Sequence, residues 1–126
     1  MWQRLLTIIR KLVPAAPVAV DVKALTQLDP EKIYVENVRS VLDISYKEAE
    51  AICETATRQG LFEKGIEVLC PDGSVGAIAD TETHLPERVE CWFEEEGHLE
   101  PREMDTHDLQ KVTYYRLNKP SRVAHA

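Results

Sequence analysis

The chain has 126 residues, 44% of them apolar, and a formal net charge of −7 at neutral pH. That length supports one domain with its own core, and the apolar fraction excludes a disordered chain. An acidic chain gains nothing from counterion release on phosphate, so nucleic acid is a disfavoured partner.

The first predicted element is an amphipathic helix over residues 1–13. Trp2, Leu5, Leu6, Ile9, Leu12 and Val13 recur at helical spacing with Ile8 on the same side, and Gln3, Arg4, Thr7, Arg10 and Lys11 fill the other face. Pro14 and Pro17 stop it, because proline cannot continue the hydrogen-bond ladder. Its apolar face has three destinations: the protein's own core, a partner protein, or, as the weakest case, an anionic membrane surface. Arg10 and Lys11 interrupt the apolar run that a secretory leader needs. No stretch approaches the roughly 20 apolar residues of a membrane span. Charge is uneven along the chain. Residues 1–29 hold four Lys/Arg against two Asp/Glu, whereas residues 30–80 and 81–119 each hold five against ten. A basic N-terminus therefore precedes an acidic body.

Residues 14–30 read as a linker containing a short helix over Val20–Leu28. The β-rich "IYV" at 33–35 predicts a short strand, and Glu36–Leu42 a short helix with Val38, Val41 and Leu42 inward. Asp43 and Ile44 form a turn. Ser45 and Glu48 then make a capping box for a helix over Tyr46–Gln59, whose apolar face is Ala49, Ile52, Cys53 and Ala56. Gly60 supplies the left-handed residue that ends this helix, and Leu61 packs back.

The period then changes. "IEVLC" (66–70) and "VGAIAD" (75–80) are apolar runs joined by "PDGS", a turn in which Pro sets φ and Gly supplies a positive φ. They predict a β-hairpin. "RVECWF" (88–93) predicts a further strand, and "EEEGHLEPRE" (94–103) a charged loop. "THDLQK" (106–111) predicts a helical turn with Thr106 and Asp108 as capping candidates. "VTYYRL" (112–117) predicts a closing strand, and residues 120–126 a frayed tail.

The segment "VENVRSVLDISYKEAEAICETATRQGLF" followed by "IEVLCPDGSVGAIAD" resembles a winged helix-turn-helix, here spanning residues 31–80. Residues 81–119 are similar to the zinc-ribbon unit that follows a winged helix in some bacterial multi-part proteins. "CPDG" from Cys70, "VECWFE" with Cys91 and "VTYYRL" carry that likeness. The resemblance implies an α+β fold: a winged helix with an additional small antiparallel β unit and an N-terminal amphipathic helix. It also implies a zinc ribbon depleted of cysteine, because Gly73 and Glu94 stand where the second thiolates belong and two cysteines cannot close a structural zinc site. Two readings stay open for the cysteines. Cys70 and Cys91 face one another as small core residues, with Trp92 and its neighbours packing where a metal would sit, or they join His84 and His98 as low-ranking zinc candidates at a spacing that fits no familiar motif. Three cysteines, with Cys53 on a helix face, predict no disulfide framework and a reducing, cytoplasmic setting.

No phosphate-binding glycine loop and no nucleophile-base constellation is legible, so the sequence predicts neither an enzyme nor a cofactor. "HLPER" and "EEEGHLE" read as solvated loops, and "DTHD" (105–108) as a cap rather than a cation site. Two functions remain. One is a protein-interaction or adaptor module, which the resemblance places in bacterial multi-protein systems, defence systems among them. Its partner-binding residues would be Trp2, Leu5, Leu6 and Ile9 on the first helix and Glu48, Glu50 and Glu54 on the helix that would otherwise read DNA. The alternative is a winged-helix transcriptional regulator contacting DNA through Tyr46, Lys47, Arg58, Gln59 and Ser74. Its turn "PDGS" offers phosphate no cation.

Overall fold

The structure is a computed structural model that describes residues 2–13 and 25–118. The proline stop at 14–17, most of the expected Val20–Leu28 helix and the 120–126 tail lie outside the described residues. The architecture is α+β, with helices α1 (Trp2–Leu12), α2 (Val35–Leu42) and α3 (Tyr46–Arg58). Five strands follow: β1 (Phe62–Leu69), β2 (Val75–Ala79), β3 (Arg88–Glu95), β4 (His98–Asp105) and β5 (Gln110–Leu117). They form a three-stranded sheet in the order β2-β1-β5 and a separate β3–β4 ribbon. Among the described residues no helix is long and apolar enough to cross a membrane.

The chain packs as two units: residues 1–64 with 115–126, and residues 65–114. The first unit is helical. Ala49, Ile52, Cys53 and Ala56 of α3 are all fully buried, as the helical period predicts. Val38 and Leu42 of α2 join them, with Val41 packed alongside. The Ser45 Oγ accepts from the Glu48 amide at 3.1 Å and the Glu48 carboxylate from the Ser45 amide at 3.0 Å, completing the capping box. At the other end Gly60 adopts φ +76°. The Leu61 amide then reaches the Ala56 carbonyl at 2.9 Å and the Gly60 amide reaches Thr57 at 3.1 Å. This is the Schellman pattern expected of a glycine exit. The Arg4 guanidinium donates to the Gln59 carbonyl at 3.3 Å, so α1 places a cation at the negative end of α3.

Two expectations for this unit change. Ile33 makes only an isolated antiparallel bridge with Tyr115, because Val35 already begins α2; the predicted 33–35 strand is a single rung. Residues 25–28 form a turn closed by the Leu28 amide on the Leu25 carbonyl at 3.0 Å. Both leucines are buried in the core.

The second unit is β-rich. β1 and β2 pair from Ile66↔Ala79 to Leu69↔Val75 across the predicted turn, in which Gly73 adopts φ +89° and the Asp72 carboxylate accepts from the Ser74 amide at 3.0 Å. The register slips between Val68 and Leu69, leaving Gly76 outside the pairing. A Cβ at Gly76 would stand 3.0 Å from the Cys70 Sγ and 3.3 Å from Val89, so glycine lets the hairpin approach that sulfur closely.

The stretch predicted as a charged loop is instead half of a regular ribbon. β3 and β4 pair without interruption from Arg88↔Asp105 to Glu95↔His98. Their two-residue connection is Glu96-Gly97, with φ +50° and +81°. Two successive positive φ values give the turn whose twist matches paired strands. Leu99 and Met104 fall on opposite faces of β4, so no alternation of hydrophobicity marks it, and Pro101 reads as a strand breaker although an edge strand tolerates it. Thr106 is also reassigned. It is buried in a 3₁₀ turn over Thr106–Asp108, and its hydroxyl donates to the Pro86 carbonyl at 2.6 Å instead of capping a helix.

Candidate functional site

The residues expected to meet a partner through α1 are largely spent on the protein's own core. Leu5, Leu6 and Ile9 are 0%, 4% and 1% exposed, and Trp2 packs half-buried against the same cluster. The first of the three destinations for this face is the one realised. Only Leu12 of the apolar stripe faces outward, beside Arg10 and Lys11.

The α3 glutamates divide by role. Glu48 is consumed by the capping box. Glu50 is exposed. Glu54 accepts from the Tyr115 hydroxyl at 2.5 Å and from the Lys64 ammonium at 3.1 Å, tying α3 to the first residues of β1 and the last of β5. Tyr115 is 2% exposed, and its ring meets Phe62 at 6.1 Å between centroids. Burial, then the Glu54 carboxylate, push its hydroxyl above the usual tyrosine range. The same hydrogen bond holds Glu54 below the usual carboxylate range against the opposing effect of desolvation, with Lys64 adding to it. Because the folded-state value is depressed, this stabilisation is present above the unfolded carboxylate pKa. It is lost as pH falls through the folded value. Tyr115→Phe is therefore expected to cost about 1 kcal/mol at neutral pH and to flatten the acid limb of the stability curve, as read by urea unfolding at stepped pH. An unaltered acid limb would exclude this coupling. Neither Tyr115 nor Lys64 stands out in the sequence, because only the fold brings them to Glu54.

The residues of the DNA-binding alternative are all exposed. Tyr46 and Lys47 occupy the start of α3 and Arg58 and Gln59 its end, roughly 18 Å apart along a helix rising about 1.5 Å per residue. The Arg58 guanidinium donates to the Thr55 hydroxyl at 3.0 Å. At the β1–β2 turn, Ser74 is bound through both its amide and its hydroxyl to Asp72, so the tip presents a carboxylate.

The cysteines overturn one expectation. Cys70 and Cys91 form a disulfide, with Cα atoms 5.7 Å apart. They do face one another in the core, but as a covalent bridge rather than as two thiols. The odd count misleads because Cys53 is unrelated to the pair: it lies buried on α3, where desolvation, then Glu54 and Glu50, push its thiol up to about 12. It stays protonated and unreactive. With Cys70 and Cys91 joined, neither supplies a thiolate to a metal, and the cysteine argument for a reducing compartment falls with them. His84 bonds Asp80 through Nδ1 at 2.5 Å, and His98 opens β4 opposite Glu95; both are exposed. Among the described residues no group of three or more His, Cys, Asp and Glu side chains is arranged to hold a metal ion.

The bridge also organises the second unit. Its core is Val68, Cys70, Val89, Cys91 and Leu109, with Ala77, Leu85, Phe93 and Met104 packed against them. Alternation along β3 turns Val89, Cys91 and Phe93 toward this core. Trp92, expected to pack where a metal would sit, is instead turned outward by the same alternation and is 51% exposed. The register sets Pro101 opposite Trp92, and Leu99, 68% exposed, two residues along β4 on the same face. Arg88, Glu90, Glu94, Glu103 and Asp105 complete that face. None of its side chains is a thiol, hydroxyl or imidazole; what it offers is an aromatic platform with a charged rim. The shared outward face of Trp92, Pro101 and Leu99 escapes a reading of the sequence because it depends on the Glu96-Gly97 register.

The chain matches no protein-family model, and neither the curated proteins nor the solved structures include a significant match to it.

Proposed function

We propose that this protein is a non-catalytic protein-interaction module, an adaptor that acts by presenting a binding surface, and that the outward face of the β3–β4 ribbon is that surface. The exposed cluster of Trp92, Pro101 and Leu99 carries the reading. Tryptophan is enriched at the centres of protein interfaces, where a large rigid apolar surface is desolvated at little conformational cost. The order of three helices followed by an antiparallel hairpin supports a winged-helix relationship for the first part of the chain. Such a relationship serves protein contact as readily as DNA binding. The bridge between Cys70 and Cys91, at the positions resembling zinc-ribbon cysteines, supports a β unit in which a disulfide has taken over the work of a metal. An adaptor place in a bacterial multi-protein system, including one of defence, follows from that resemblance.

The test is a comparison between the full chain and a Trp92→Ser/Leu99→Ser variant, captured from the native host and then titrated against the purified captured protein. Both positions are exposed, so the variant should unfold within about 0.5 kcal/mol of the parent while losing the partner. A variant that retains the same partner at unchanged affinity would sink this assignment. Salt-steep binding of the parent to duplex DNA in a gel shift would replace it with the regulator reading.

A further inference from the structure

We infer that the ribbon face docks a basic segment of another protein, one that lays a Lys or Arg side chain over Trp92 beside an apolar anchor. This rests on the interaction-module reading and adds the chemistry of the partner. The rim of the Trp92 face holds four carboxylates, Glu90, Glu94, Glu103 and Asp105, against one cation, Arg88. Arg88 is already engaged, 3.4 Å from Glu103 and 3.3 Å from Asp105. Glu90 and Glu103 stand directly opposite each other across the strands. Like charges at paired positions destabilise a sheet, and a cation laid across them relieves the repulsion. Glu90 and Glu94 flank Trp92 two residues to either side and share its face.

The opposite face of the same ribbon shows how such a combination is satisfied. There the Arg102 guanidinium lies 5.0 Å from the centre of the Phe93 ring and pairs with the Glu95 carboxylate. Aromatic ring, carboxylate and cation are thus all present within the chain. On the Trp92 face the ring and the carboxylates are present, and among the described residues no cation of the chain lies over the ring. Tryptophan is the aromatic side chain with the strongest attraction for a cation. The carboxylates steer basic protein toward the face and repel phosphate, which disfavours nucleic acid and anionic lipid as occupants.

The experiment uses the full-length chain carrying Trp2→Phe, so that fluorescence reports on Trp92 alone. Three peptides of equal length are titrated, alternating leucine with arginine, with glutamine or with glutamate. The expected result is a shift in Trp92 emission with the arginine peptide, at an affinity at least about tenfold above the other two. That affinity should fall about tenfold in high salt and on Glu90→Gln/Glu94→Gln. Equal binding of the glutamine peptide, lost on Trp92→Ser, would overturn the basic partner while leaving an interaction surface in place. Emission indifferent to all three peptides would overturn the inference, and the capture experiment then judges the broader reading separately. Self-association abolished by Trp92→Ser in sedimentation would overturn it in favour of a second copy of the chain.

Discussion

Reduction of the Cys70–Cys91 bridge is expected to lower the stability of the second unit by about 3 kcal/mol, the loop-closure entropy for cysteines 21 residues apart. The effect should be large because the unit has little else. Its buried hydrophobic cluster is five residues, and two of them are the cysteines themselves. Small β units of this kind fall short of the apolar burial needed to offset chain entropy and depend on a staple. Hydrogen exchange is the discriminating measurement. On reduction, or in Cys70→Ala/Cys91→Ala, amides of β3 and β4 should exchange faster by about two orders of magnitude, whereas those of α3 should hold. Thiol titration of the unreduced, denatured protein should find one reactive sulfur, Cys53. Three thiols in protein purified without reductant, or ribbon exchange that ignores reductant, would remove the bridge from the account of this unit.

Leu5→Ala is expected to destabilise the first unit by about 3 kcal/mol. Leu5 has no exposed surface and lies in the cluster shared by α1, α2 and α3. Truncating it removes buried methyl groups and leaves a cavity that the packed neighbours fill only partly. Leu12 is the internal control. It sits on the same helix but is 41% exposed, so Leu12→Ala should move the urea midpoint by less than about 0.5 kcal/mol. The pair of variants separates a core helix from a partner-docking helix. If Leu5→Ala left the midpoint unchanged while weakening binding to the captured partner, the apolar face of α1 would belong to an interface after all.

The parts legible in the sequence are those whose physics is local. The apolar stripe of α3, the Ser45–Glu48 capping box, the Gly60 exit and the Pro-Asp-Gly turn each need only a few neighbouring residues, so helix, stop and hairpin could be placed before any fold was known. The spacing on α1 declares an amphipathic helix equally well, but an apolar face has the same pattern whether its own core or another protein covers it. Packing of Leu5, Leu6 and Ile9 decided that question. The bridge between Cys70 and Cys91 depends on two strands meeting in space, which no count of cysteines reveals. β4 escapes the sequence because its aliphatic residues Leu99 and Met104, five apart, fall on opposite faces and set up no period of two, and its glutamates and Pro101 imitate a loop. Once Glu96 and Gly97 turn the chain, register alone brings Trp92, Pro101 and Leu99 to one face. The sequence by itself settled the helices and turns, because propensity, capping and turn chemistry act over a few residues. Only the tertiary structure decided the destination of the α1 stripe, the Cys70–Cys91 bridge and the shared face of Trp92, Pro101 and Leu99, because register and packing join residues that are distant along the chain.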